Sequence, residues 1–151
     1  MINKRLYGLF CCLHRQMSRN SHKLFKENNL SHVQMYAMIF VECESKEGRR
    51  VCQKDIEKHI NLRPSATSSM LANLEKKGFI TRTVSDGDAR AKFVTLTEKG
   101  TVVCQKNKQF MDESDNLIQS ALSEDEQNEF KNLILKIMCE SEKYGSELKN
   151  D

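Results

Sequence analysis

The sequence has no tryptophan, a single proline and only six glycines among its 151 residues. No stretch approaches the roughly 20 apolar residues that a membrane span requires, so no membrane partner is expected. The start, Met1-Ile2-Asn3-Lys4-Arg5, is charged, but His14, Arg15 and Gln16 interrupt the apolar run that follows. It does not read as a signal peptide, and the cytosol is the expected location. The six cysteines (Cys11, Cys12, Cys43, Cys52, Cys104 and Cys139) form no C-x-x-C pair. The four histidines (His14, His22, His32 and His59) read as scattered. A zinc site is therefore not expected, and the thiols are expected to be reduced and mostly buried. Ser-His-Asp, metal-ligand and phosphate-loop spacings are missing too, which argues against an enzyme and against a bound cofactor.

What is present is charge, unevenly placed. Charged residues make up 30% of the chain, the net charge is +3, and the mean hydropathy is −0.62. Residues 49–100 hold 11 Lys/Arg against 6 Asp/Glu, whereas 101–151 hold 6 against 11. A positive centre beside an acidic end suits a polyanion on one face only.

The periodicity predicts a mainly α fold with a small β-hairpin. Ile2, Leu6, Leu9, Phe10, Leu13 and Met17 recur at helical spacing, predicting a helix over 2–27. A second helix starts after Ser31, a good N-cap, with Val33, Tyr36, Ala37, Phe40 and Val41 on one face. Residues 53–60 give a short helix. Pro64 then opens another, which ends at Gly78 in keeping with the C-terminal glycine rule. Phe79–Ser85 and Ala91–Thr97 have strand composition, with Asp86-Gly87 as a hairpin turn between them. Thr97 can cap a long helix whose stripe is Val103, Phe110, Leu117 and Ala121. Ser123-Glu124-Asp125-Glu126 is a capping box for the last helix, with Phe130, Leu133, Ile134, Ile137, Met138 and Tyr144 on its apolar face. Helix, turn, helix and hairpin in that order make a winged helix-turn-helix.

Wound at about 100° per residue, the helix over 64–77 separates Thr67, Met70, Leu71 and Leu74 from Ser65, Ser68, Ser69, Ala72, Asn73 and Lys76. The second face has small polar groups and no acid, so it can approach base edges in a major groove. Arg63 and Lys76 can reach phosphates, and the helix N-terminus favours one. At the hairpin tip, Arg90 suits a narrow minor groove, with Lys92 nearby and Asp88 as the carboxylate that holds Arg90 in place.

Leu74-Glu75-Lys76-Lys77-Gly78-Phe79-Ile80, Asp86-Gly87-Asp88-Ala89-Arg90 and Leu96-Thr97-Glu98-Lys99-Gly100 together resemble the MarR family, the multiple antibiotic resistance regulators. The resemblance implies a homodimer on a pseudo-palindromic duplex. In that arrangement 31–100 is the winged helix-turn-helix, and 1–30 with 101–151 form the helical dimerisation region. It also implies a repressor released by a small-molecule effector. A pocket for that effector would draw on His14, Met17, Met35, Tyr36 and Met38. Cys52 departs from the pattern, standing where the family often has a capping Ser or Thr, and a thiol is a poor cap. Two alternatives share the scaffold: a thiol-based redox sensor using Cys11 and Cys12, and a winged helix serving only protein interaction.

Overall fold

A computed structural model describes residues 5–85 and 88–147, with backbone alone at 85, 88–91 and 142–147. The chain forms two compact units, one ending at Phe110 and one beginning at Met111. The first holds α1 (Leu6–Met17), α2 (Arg19–Glu27), α3 (His32–Lys46), β1 (Val51–Cys52), α4 (Gln53–Ile60), α5 (Pro64–Lys76), β2 (Ile80–Ser85), β3 (Asp88–Leu96) and the start of α6 (Glu98–Ala121). The second holds the rest of α6 and α7 (Glu124–Glu147). This is a winged helix fold, mainly helical with a small antiparallel sheet.

The predicted helix over 2–27 is two helices. Ser18 has ψ near 4°, and both its N–H and its Oγ donate to the His14 carbonyl, at 2.8 and 2.6 Å. A serine bonded back onto the preceding turn closes α1 there. On α3, Ser31 and Gln34 form a reciprocal capping box. Its inward face differs from the predicted one. Met35, Ala37, Met38, Val41 and Glu42 are buried, whereas Val33 and Tyr36 are exposed. So apolar a helix offers more than one candidate face, and the packing against the sheet and α4 selects among them.

The sheet has the order β1-β3-β2, all antiparallel, with Val51 opposite Val94 and Ile80 opposite Leu96. Strand β1 is an addition to the predicted hairpin, and two residues are too few to leave a periodic pattern. Helix α4 has an unusual start. The Asp55 carboxylate accepts the Cys52 N–H at 2.8 Å, so the acid three residues on supplies the fastening that a thiol cap does poorly. Hydrogen bonds from the Cys52 side chain and then its backbone hold the Asp55 carboxyl below its usual range.

Met38, Ile56, Leu71, Leu74, Phe79, Ile80 and Val94 form the core of this unit. Each large side chain buried in this way contributes about 1.5–3 kcal/mol. Leu24, Phe25 and Leu30 join the same core.

The junction of α5, β2 and α6 is the tightest place in the unit. Gly78 takes φ +74°, the left-handed conformation that lets α5 turn directly into β2. The Thr97 N–H donates to the Phe79 carbonyl at 3.0 Å, and Thr97 Oγ1 donates to the Gly78 carbonyl at 2.7 Å. Thr97 Oγ1 also accepts the Gly100 N–H at 3.1 Å and so caps α6 as expected. A Cβ on Gly100 would lie 2.1 Å from the Phe79 carbonyl oxygen.

In the second unit, Ser123 and Glu126 form the expected capping box. Gln127 Nε2 donates to the Leu122 carbonyl at 2.9 Å and closes the turn. The stripe predicted for α6 is buried only at its start. Val103 is buried and Phe110 half-buried, but Leu117 and Ala121 are exposed; the buried positions are Gly100, Val103, Cys104 and Asn107. On α7, Phe130 and Ile134 are half-buried while Leu133, Ile137 and Met138 are exposed. Tyr144 lies outside the described side chains.

Gly100→Ala is expected to destabilise the fold by about 3 kcal/mol, since backbone rather than a flexible side chain blocks the added methyl. Chemical denaturation checks this. A change within about 0.5 kcal/mol, the usual range for surface substitutions, would show the junction to be loose.

Candidate nucleic-acid interface

The helix-turn-helix is built on a left-handed residue and a proline. Asn61 takes φ +51° and ends α4. Arg63 is extended, and Pro64 begins α5 at the position where a missing N–H does no harm. Thr67 is buried, with its Oγ1 donating to the Arg63 carbonyl at 3.2 Å. With Leu71 and Leu74 it fixes which side of α5 faces inward.

The opposite side is as expected from the winding: Arg63, Ser65, Ser68, Ser69, Asn73 and Lys76 are all exposed, as is Lys92 on β3. The side chains of Asp88 and Arg90, and the Asp86-Gly87 turn, lie outside the described residues.

Four contacts that the sequence did not reveal shape this face. Glu75, the only acid on α5, is turned onto Arg82 of β2. Arg82 donates through its backbone N–H at 3.1 Å, Nε at 2.9 Å and Nη2 at 2.5 Å. This charge-assisted pairing occupies the carboxylate and ties the helix to the hairpin. The Arg82 guanidinium holds the Glu75 carboxyl below its usual range. Second, Gln34 Nε2 donates to Asn73 Oδ1 at 2.9 Å, linking α3 to the exposed face of α5. Third, Lys77 Nζ donates to the carbonyl of Asn29, a left-handed residue between α2 and α3. Fourth, Lys99 Nζ donates to the Lys77 carbonyl at 2.7 Å and lies 4.3 Å from the centre of the Phe79 ring.

The five residues suggested for an effector pocket have different surroundings. Met35 and Met38 are core side chains. Met17 is half-buried and His14 exposed. Tyr36 stacks on His59 at 5.1 Å, and His59 stacks on Phe40 at 4.0 Å. The histidines are less scattered than they read. His22 lies between His14 and His32, at 6.3 and 5.0 Å between ring centres. Burial, then His22 and His14, pushes the His32 pKa down. Among the described residues no group of three or more His, Cys, Asp or Glu could hold a metal. The thiols are not mostly buried as expected: Cys11, Cys43 and Cys139 are exposed, Cys12 and Cys52 are half-buried, and Cys104 is buried. Burial pushes the Cys104 thiol up to about 12, which leaves it unreactive. No helix among the described residues is long and apolar enough to cross a membrane.

The family model described as "MarR family" matches residues 47–92. That segment covers β1, α4, α5, β2 and part of β3. The winged segment is thus similar in sequence to the MarR family. A curated relative, the uncharacterized HTH-type transcriptional regulator YwhA of Bacillus subtilis (strain 168), is 47% identical over 47 residues. The match spans 31% of this chain and about a third of YwhA's length (34%). The S. aureus MepR–DNA complex is similar in fold, with a TM-score of 0.68 and 24% identity over 87% of this chain and 96% of that one. S. aureus MepR bound to ethidium bromide gives 0.67 and 24% over 90% and 96%.

Because the Glu75 carboxyl is held below its unfolded value, its contribution is present above the unfolded pKa and lost as pH falls through the folded one. Glu75→Gln is therefore expected to lower Tm at neutral pH, with the gap from the parent chain closing below about pH 4, where an ordinary glutamate becomes protonated. Thermal melts across pH check this. A gap constant with pH would show that the pair contributes nothing electrostatic.

Proposed function

We propose that this chain is a DNA-binding transcription regulator that acts as a homodimer, with α5 entering the major groove and the wing following the minor groove. The observation that carries this reading is the exposed face of α5. Its side chains are small and polar, and its one acid is occupied by Arg82. A solvated helix face ordinarily mixes Glu with Lys. This one offers serine and asparagine donors and acceptors at short reach, with cations at both ends, which suits base edges flanked by phosphates. The likeness to a MepR–DNA complex supports the same reading.

The homodimer rests on apolar surface. Helix α1 has no buried residue, with Leu6 85% and Tyr7 79% exposed and Phe10 beside them. On α7, Leu133, Ile137 and Met138 are also exposed. Contiguous apolar faces of this kind mark interaction surfaces, and a second copy is the partner that would set the spacing of two winged segments.

The regulatory reading is a repressor released by a small molecule. Its support is an open cleft of about 430 Å³ within the first unit, lined by Leu24, Asn28, Glu98, Lys99, Val102, Val103 and Lys106. Lys99 both lines this cleft and donates to the carbonyl of Lys77, the C-cap of α5. A ligand that draws its ammonium away loosens the hold on the reading helix.

A gel-shift titration with the duplex upstream of the chain's own gene tests the proposal. Specific binding is expected at moderate salt, and Arg90→Ala and Lys76→Ala are each expected to reduce the salt slope by about one. No preference over an unrelated duplex would refute the proposal.

A further inference from the structure

Gln34 is bonded at both ends of its amide. Its Oε1 accepts the Ser31 N–H at 3.0 Å, and its Nε2 donates to Asn73 Oδ1 at 2.9 Å. A backbone N–H can only donate. The Gln34 atom facing Ser31 must therefore be the oxygen, which puts the NH₂ toward Asn73. An NH₂ group can only donate as well, so the Asn73 atom facing it must be its oxygen. The polarity of the N-cap of α3 is thus relayed through two amides to the exposed face of α5. It leaves Asn73 with its oxygen engaged and its two N–H donors as the end turned from Gln34.

We propose that Gln34 is a specificity-determining residue that fixes Asn73 as a hydrogen-bond donor, so that α5 selects an acceptor edge in the major groove. This rests on the DNA-binding reading above. A free asparagine reads adenine through one donor and one acceptor, to N7 and N6. In this clasp Gln34 takes one of the two lone pairs of the Asn73 oxygen and draws that oxygen toward α3, so the donor end of Asn73 is the one better placed to meet a base. Guanine, with N7 and O6 both accepting, is the base it suits best; thymine, with O4, comes second. Gln34 acts through Asn73, so it is a positioning residue. A purely structural role would alter affinity at every site alike rather than the base preferred at one.

The polarity can be inverted without changing shape. In Gln34→Glu both side-chain oxygens accept. One keeps the Ser31 N–H, so the capping box survives, and the other obliges Asn73 to turn its NH₂ inward and offer its oxygen to DNA. Asn73→Asp offers an acceptor by a second route and keeps the test intact if Gln34→Glu fails to fold.

The experiment is selection of binding sites from random duplexes by the full chain and by Asn73→Ala, Gln34→Glu and Asn73→Asp. Asn73→Ala locates the contacted position in each half-site as the one whose preference it flattens. The parent chain is expected to favour guanine over adenine and cytosine there by about 3- to 10-fold, the worth of one net hydrogen bond. Gln34→Glu and Asn73→Asp are expected to move the preference to a donor-bearing base, adenine or cytosine. If Asn73→Ala flattens no position while the parent still selects a consensus, the inference falls and the DNA-binding reading stands. The same holds if that position is unchanged in both polarity variants. If the parent selects no consensus, both fall.

Discussion

The Phe79 carbonyl is the point at which the winged unit is locked. It accepts the Thr97 N–H, and the next turn of α6 passes so close to it that position 100 has no room for a Cβ. Gly78 makes the corner that delivers Phe79 to this place, and Lys99 covers its ring while holding the last turn of α5. Three elements are thereby set against one another within a few residues: α5, the hairpin and the helix that leaves the unit. Close packing of this kind admits few alternative arrangements, so α5 is presented in one orientation relative to the wing.

The chemistry of the exposed face depends on that orientation. Arg82 can reach Glu75 only because β2 leaves the corner alongside the helix, and without Arg82 the face would carry a free carboxylate toward a polyanion. Gln34 can reach Asn73 only because α3 packs its N-terminus near the outer side of α5. Both contacts join neighbouring elements of one packed unit, and both change what the surface offers without adding a residue to it.

Much of this was legible in the chain. Gly78 and Thr97 announce the corner, because backbone conformation and capping demand particular residue types, whereas Gly100 shows only as part of the family motif. The outward face of α5 follows from helical winding once Pro64 and Gly78 fix its ends. The contacts Glu75–Arg82 and Gln34–Asn73 were not legible. The first joins a helix to a strand across a turn, and the second spans 39 residues, so neither leaves a periodic trace. Ser31 reads as an N-cap, but neither use of Gln34, in the capping box or toward Asn73, shows in the sequence. The break at Ser18 was missed because a serine can bond to the carbonyl four residues back in a continuous helix as well. The inward face of α3 was misassigned because its residues are apolar nearly all round, and only the neighbours decide which of them are covered. The cysteine at position 52 looked like a weak start for α4, and Asp55 three residues on makes good the deficit.

The exposed apolar side chains of α1 and α7 and the polar face of α5 point to the same arrangement, two copies of the chain on one duplex. Native mass spectrometry of the chain with a duplex taken from its selected sites measures this directly. The account predicts a complex of two chains per duplex, with two chains also present in the absence of DNA. A complex of one chain per duplex, or a monomer that binds no duplex at all, would contradict it.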